Sequence, residues 1–399
     1  MKKIKKVLYV CSVYKPNIGG VETTIENLTN NLHSLGIEAS VLTKKYPFDL
    51  NEYERIGKCG VCRFSRPKYE REYLGSIDFL NKYENELKAD IIHDIGARRP
   101  MPLYALLLAR KWKVPCLITF TGGDLPDPKR QETLQVWDEG LGTVPNSIKQ
   151  FDKLTSFSKS LSNLAKKTLS MSSEIEIVYA GVDLNEIEAA PGANVKEPYF
   201  FAARRLDSSK GIDILIKAFS RVKPHIGETK LLIGGSGIEE KPLQKLSKEL
   251  GLIGKVVFLG KLTQGEVFSY MKSAIAHICP SRAEGGGIVN FEAQAAGCLS
   301  IGSNVGGIPE YIINGKTGFL FESENVDGLS RLLLLAIKDK DVVNKIKRNA
   351  KKNIEKYSWK EFTNNYIDIY NRLMRKPSGN SLAIWSSLIE NMWNKLNNG

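Results

Sequence analysis

The residues best suited to chemistry lie in Pro280-Ser-Arg-Ala-Glu284-Gly-Gly-Gly287-Ile288-Val-Asn-Phe-Glu292-Ala-Gln-Ala-Ala-Gly297-Cys298. An apolar run, Ala274 to Cys279, precedes them and reads as a buried parallel strand. Ile288–Ala296 follows without a breaker and reads as a helix. A strand, a glycine turn and a helix start together present backbone N–H groups at the positive end of a helix dipole, which is a seat for an anion. Glu284 and Glu292 bracket that seat and cannot themselves want an anion, so a polyhydroxylated group is their natural partner. An anion that carries hydroxyls points to a nucleotide-sugar.

Three other segments could share the work. Arg204-Arg205-Leu-Asp-Ser-Ser-Lys210-Gly211 sits between a strand and a helix, where arginine forks onto phosphate oxygens and lysine adds a point charge. Taken alone, the segment reads more readily as a solvated basic loop. Gly234-Gly-Ser-Gly237 permits close backbone approach, but Glu239 stands where a dinucleotide fingerprint needs its third glycine. Gly306-Gly-Ile-Pro-Glu310 is a further glycine turn, which a tight bend alone would explain.

The elements that must hold these groups alternate. Strands are predicted at Val7–Ser12, Glu38–Thr43, Val61–Phe64, Asp90–His93, Cys116–Phe120, Lys153–Phe157 and Ile175–Val178, with helices between most of them. The stretch from Ala189 to Pro198 has two prolines, a glycine and no periodicity, and reads as a linker. The pattern then restarts with strands at Tyr199–Ala203, Lys230–Ile233, Val256–Leu259, Ala274–Cys279 and Leu299–Ile301. The fold class is α/β, with two Rossmann-like, doubly wound domains at 1–190 and 191–372, expected to face each other across a cleft.

Bulk properties set the outer limits. At 399 residues, two domains are the default, and a formal net charge of +13 implies affinity for polyanions. Nothing interleaves aromatic and basic residues as a nucleic-acid site would, so nucleic acid is not an expected partner. No apolar run reaches eighteen residues, and Val7–Val13 ends at Lys15-Pro16 without a cleavage pattern, so the protein is expected in the cytoplasm. The six cysteines are scattered and four sit in or beside strands, as reduced buried thiols do. No second cysteine or histidine pair completes a metal site with Cys59 and Cys62.

Taken in order, the motifs resemble those of the retaining, GT-B-fold glycosyltransferases with a glutamate-x(7)-glutamate motif, a family 4-like group that includes sucrose synthases and bacterial surface-glycan transferases. Glu284 to Glu292 is the most specific match. Gly19-Gly20-Val-Glu22, Ala180-Gly-Val-Asp183, Arg205-Leu with Lys210-Gly211, Gly306 to Glu310, Asn314-Gly-Lys-Thr-Gly318 and Tyr357-Ser-Trp359 support it. The resemblance implies that Arg205 and Lys210 hold the donor diphosphate and offset charge on the leaving group. Glu292 would take the ribose hydroxyls, and Glu284 with the backbone of Gly285, Gly286, Gly287 and Ile288 would contact the donor sugar and diphosphate. Gly19, Gly20 and Gly237 would approach the donor closely, and Leu262 would face the base. No metal or other cofactor is implied. The reaction would move a hexose or N-acetylhexosamine from a UDP- or GDP-linked donor to a saccharide, lipid-linked or small hydroxyl acceptor.

Departures from the family's pattern concentrate in the first half. The family's histidine two residues beyond His93 is Ile95 here, and another near 121 is Thr121. His93 is thus the remaining candidate catalytic histidine, with a structural role as the alternative, and Asp94 and Asp124 are acceptor-side candidates. Gly286 stands where a bulky residue is common. A catalytically silent nucleotide-sugar-binding module is the second functional reading. At the C-terminus, Ser381–Leu396 carries one apolar face, and helices over 373–399 are expected to pack back on the first domain, with attachment to a membrane as the alternative. Arg98, Arg99, Arg110, Lys111 and Lys113 flank the apolar stretch 101–109 and could meet an anionic membrane surface at the inner face of the plasma membrane.

Overall fold

Runs of Val, Ile, Leu and Phe too uniformly apolar to leave one face wet build two mostly parallel sheets. The computed structural model describes residues 3–17, 19–127, 137, 142–375, 382–384 and 386–398, without the side chains of 70 and 71. The chain divides into two compact units, Met1–Ala180 with Trp359–Gly399, and Gly181–Ser358.

The first unit contains β1 (Lys6–Val10), β2 (Glu38–Lys44), β3 (Tyr53–Ile56), β4 (Cys59–Phe64), β5 (Ile91–Ile95), β6 (Cys116–Phe120), β7 (Lys153–Ser156) and β8 (Glu176–Ile177). They lie in the order β3-β4-β2-β1-β5-β6-β7-β8. Only β3 runs antiparallel to its neighbour. The winding reverses between β1 and β5, which opens a crevice beyond their carboxyl ends. Strand β3 escaped the sequence reading because none of its four residues is buried, so it carries no core-facing run.

The second unit contains β9 (Tyr199–Ala203), β10 (Lys230–Gly234), β11 (Val256–Gly260), β12 (Ala276–Cys279), β13 (Leu299–Ser303) and β14 (Phe319–Phe321). Their order is β11-β10-β9-β12-β13-β14, all parallel, so the reversal falls between β9 and β12. Helices Ile212–Val222 and Val326–Lys338 close over the sheet through Leu215, Phe219, Leu329 and Leu333.

The division departs from the boundaries expected at 190 and 372. Helix Leu184–Ala189, capped by Asp183, packs on helices Gln264–Ser273 and Val289–Ala295 and so belongs to the second unit. The supposed linker is a surface loop of that unit: Ala193 N–H donates to Ser269 O at 3.1 Å and Lys272 Nζ to Ala190 O at 2.6 Å. Conversely, helix Trp359–Met374 lies against helix Gly20–Ser34 and places Tyr366 and Tyr370 in the core of the first unit.

Two surface expectations are also revised. Helix Met101–Trp112 is buried from Met101 through Arg110, so it offers lipid no apolar face. Arg110 pairs with Asp152 and Lys111 with Glu84, and Arg98 and Arg99 lie apart from them, after the carboxyl end of β5. At the C-terminus, helix Ser387–Asn398 buries Ile389, Met392 and Leu396 against helix Ser76–Lys82, where Lys395 meets Asp78 at 2.6 Å. Within the expected stretch Ser381–Leu396, Ser381 and Trp385 lie outside the described residues. Among the described residues no helix is long and apolar enough to cross a membrane. All six cysteines are free and buried.

Candidate active site

Within the second unit, the loops beyond β9 and β12 are stitched together at the reversal point. Arg282 N–H and Ala283 N–H donate to Ser209 O at 2.8 and 3.3 Å. Asp207 caps the short turn Ser208–Lys210, and the Arg282 guanidinium forks onto Asp213 at 2.7 and 2.9 Å. This bracing brings Lys210 Nζ to 3.2 Å from Glu284 Oε2, where Arg204 Nη2 also donates. Ser281 Oγ adds a bond at 3.4 Å. Two buried cations thus share one carboxylate, which keeps their charges compensated.

The arginine paired with Glu284 is Arg204, whereas Arg205, expected at the diphosphate, lies at the surface beside Asp207. Successive residues leaving a strand point to opposite sides, and here Arg204 turns inward, 7% exposed, while Arg205 is 63% exposed beside Asp207. The pairing with Glu284 and the Cys279 sulfur hold the Arg204 guanidinium above its ordinary value, although burial opposes them.

Glu292 stands one turn into helix Val289–Ala295 and accepts from Gln264 Nε2 at 2.8 Å. Lost hydration raises its carboxyl to about 7, and the Gln264 bond pulls the other way. The helix is shorter than the one read from the sequence. Asn290 folds back to bond Gly287 O at 2.9 Å and Ser300 Oγ supports Asn290 Oδ1 at 3.1 Å, which sets the shape of the glycine loop at Gly285, Gly286, Gly287 and Ile288. Leu262 packs over Gly234 at the end of β10.

Two glycines read as ligand cradles have a nearer reason to lack a side chain. A Cβ on Gly237 would fall 2.2 Å from Leu206 O, and one on Gly306 would fall 1.8 Å from Glu284 O. Gly307 N–H then donates to Glu284 O at 3.1 Å. These turns hold the cationic loop and the Glu284 loop by backbone contact.

In the first unit, the structure puts His93 in the core and not at a strand end. Strand β5 runs on to Ile95, so His93 is interior and fully buried. Its Nδ1 lies 2.7 Å from Tyr370 Oη and its Nε2 2.7 Å from Thr119 Oγ1, with the rings of Tyr9 and Tyr366 beside it. Burial lowers the imidazole to about 3, which keeps it neutral. Asp124 is spent on its own turn, accepting from Ala97 N–H and Thr121 N–H at 3.1 and 3.0 Å and from Gly122 N–H at 2.5 Å. Asp94 is buried with neither oxygen hydrogen-bonded among the described residues, and burial plus the nearby Asp124 charge push its carboxyl well up. Gly20 opens helix Gly20–Ser34 and Gly19 is its N-cap; Val21 packs close to the Gly96 turn after β5.

Sequence reasoning passed over Gln264, which no motif marks, and Arg204, which only strand alternation could have separated from its neighbour. Asp339, in the sequence's one Asp-x-Asp triplet, Asp339-Lys-Asp341, caps helix Lys340–Ile354 by accepting from Val342 N–H at 3.0 Å.

Residues 18–186 match the family described as Glycosyltransferase Family 4, and residues 183–353 the one described as Glycosyl transferases group 1. N-acetyl-alpha-D-glucosaminyl L-malate synthase of Bacillus anthracis is 25% identical over 378 residues, covering 90% of this chain and 96% of its own. Sucrose-phosphate synthase of Thermosynechococcus elongatus is 20% identical with a TM-score of 0.78, over 93% of this chain and 100% of that one. HepE of Anabaena, solved with UDP and glucose, is 18% identical with a TM-score of 0.70, over 92% and 100%. With both halves matched in order and both sheets in place, the chain belongs to the GT-B-fold glycosyltransferases of the family 4 and group 1 type.

Proposed function

We propose that the protein transfers a hexose or N-acetylhexosamine from a UDP- or GDP-linked donor to a hydroxyl acceptor, with retention at the anomeric carbon and without a metal. The observation that carries this reading is the Arg204–Glu284–Lys210 cluster beside the glycine loop, with Glu292 eight positions on. The donor's diphosphate would replace part of Glu284's charge at the two cations, and the donor ribose would bond to Glu292. As the bond from the anomeric carbon to the phosphate oxygen breaks, negative charge grows on the leaving diphosphate, where Lys210 and the arginines offset it. The acceptor oxygen attacks from the same face, and its proton passes to the departing phosphate oxygen. No protein nucleophile is needed, which fits a first unit whose histidine is locked in the core. The HepE structure solved with UDP and glucose favours UDP as the first donor to try. The chemistry suits the reducing cytoplasm that six free thiols imply.

A thermal-shift and hydrolysis screen against UDP-, GDP-, ADP- and dTDP-sugars tests it, with the product's anomeric configuration read by NMR. Stabilisation by one nucleotide series with slow release of the sugar is expected. Binding without hydrolysis or transfer would instead favour the silent module, and no binding by any donor would overturn both.

A further inference from the structure

The first unit holds an open cavity of about 650 Å³ that the donor chemistry does not use. Its wall is drawn from four strand ends: Ser12 and Val13 after β1, Lys44 at the end of β2, Arg66 and Lys68 after β4, and Arg98 and Arg99 after β5. These are the carboxyl ends on both sides of the reversal between β1 and β5, where a parallel sheet places its ligand. The volume falls within the range of small-molecule sites. Five of the lining side chains are cationic, and no acidic one is among the described lining residues.

The effect of this gathering of charge shows at Lys44. Lys44 is held down to about 7, first by lost hydration and then by Arg66, Arg98 and Arg99, with the buried Cys11 thiol as a weak opposing neighbour. Among the described residues its ammonium donates to a backbone oxygen, Arg99 O at 3.3 Å. Burial raises the Glu22 carboxyl, and Arg98 pulls it the other way. Tyr46 and Phe48, both exposed, flank the cations and offer aromatic faces to the C–H side of a sugar or polyol.

Resting on the transferase reading above, we propose that this cavity is the acceptor subsite and that the acceptor carries a phosphate or carboxylate group, which Lys44, Arg66, Lys68 and Arg99 bind while its hydroxyl awaits transfer. A phosphate or carboxylate gains charge-assisted bonds from both residue types, and relieves the mutual repulsion that weakens Lys44. A neutral glycan would leave that repulsion in place.

The test uses the full chain with UDP present in excess, so that the second unit's cations are occupied, and titrates inorganic phosphate and succinate by calorimetry. Two variants are compared: Lys44→Met, and the double change Arg66→Ser with Lys68→Ser, whose exposed side chains the fold does not need. At least one of the two anions should bind the wild type, weaken with added salt, and lose about tenfold or more in affinity in each variant. Flotation with phosphatidylcholine vesicles, with and without phosphatidylglycerol, separates the sources. Variant-sensitive flotation on anionic vesicles assigns the charge to a lipid headgroup, and anion binding without flotation assigns it to a soluble acceptor. Equal affinities in wild type and both variants, with no flotation, would overturn the proposal. A lack of UDP binding would sink the donor reading alone, because the variants still report on the cavity.

Discussion

Replacing Glu284 by Gln keeps the side chain's shape and removes the carboxylate that Arg204 and Lys210 share. At 3.2 Å and an effective dielectric constant of about 20, the Lys210–Glu284 attraction alone is about 5 kcal/mol before desolvation is subtracted. Both cationic side chains are 7% exposed, so little water can take the lost anion's place. Breaking a buried ion pair from one side costs about 3–5 kcal/mol. The edge of Glu284 that remains open to solvent argues for the lower figure, about 3 kcal/mol. A diphosphate brings back the missing charge, so UDP should stabilise the variant more than the wild type. Native-state hydrogen exchange of the β9 and β12 amides, with and without UDP, reads this directly. The expected loss is about 3 kcal/mol without UDP and about half of that at saturation. Transfer should still fall by about a hundredfold, because the carboxylate's own contacts with the donor are gone. A loss below about 1 kcal/mol, or one that UDP leaves unchanged, would refute the picture of a carboxylate holding the phosphate's place.

Three further outcomes follow from the geometry. Glu292 rises from an ordinary value of 4.5 to about 7 on burial. Its contribution to stability is therefore complete below that window and is lost as pH climbs through it, while UDP affinity should improve several-fold from about pH 6 to 8 as the carboxylate ionises. A Glu292→Gln variant should show neither slope, and an unchanged pH profile would remove Glu292 from the ribose. His93→Leu leaves the Tyr370 and Thr119 hydroxyls short of a partner and should cost about 1–3 kcal/mol in urea unfolding. Turnover per folded molecule should hold, and a large drop would restore His93 to the chemistry. Gly306→Ala drives a methyl group into the Glu284 carbonyl and should cut transfer by about a hundredfold with the sheet of the second unit intact by hydrogen exchange. Near-normal transfer would show that the turn does not position Glu284.

The second unit was legible in the sequence because its determinants are local. Strand Tyr199–Ala203 and helix Ile212–Val222 were bounded to the residue, since Pro198 and Gly211 punctuate uniformly apolar runs. A motif does not carry the side of the chain from which each arginine leaves, so the pairing of Arg204 with Glu284 is not legible in it. The first unit was read less well. Its last helix comes from residues 359–374, beyond the whole second unit, so the partners of His93 lie 26 and 277 positions away. No window of sequence can show that a histidine at a strand's apparent end is capped by a tyrosine so remote.

The contrast between the two units has a physical origin. Donor diphosphate and ribose present the same charges and hydroxyls whatever the sugar, so one packed arrangement serves, and packing leaves marks: Gly237 and Gly306 are glycine because a backbone oxygen lies where their Cβ would be. Those marks fall at fixed spacing and read as motifs. An acceptor site is assembled from single side chains at the ends of β2, β4 and β5, each free to change without disturbing the sheet beneath it. Lys44, Arg66 and Arg98 share no spacing rule, and only the parallel register of β4, β2, β1 and β5 gathers them. The +13 charge, which from composition alone fitted nucleic acid, membrane or nucleotide equally, thereby gains a location, and five of its cations line one cavity. Five cations gathered at these strand ends are the feature that the proposed anionic acceptor would complement.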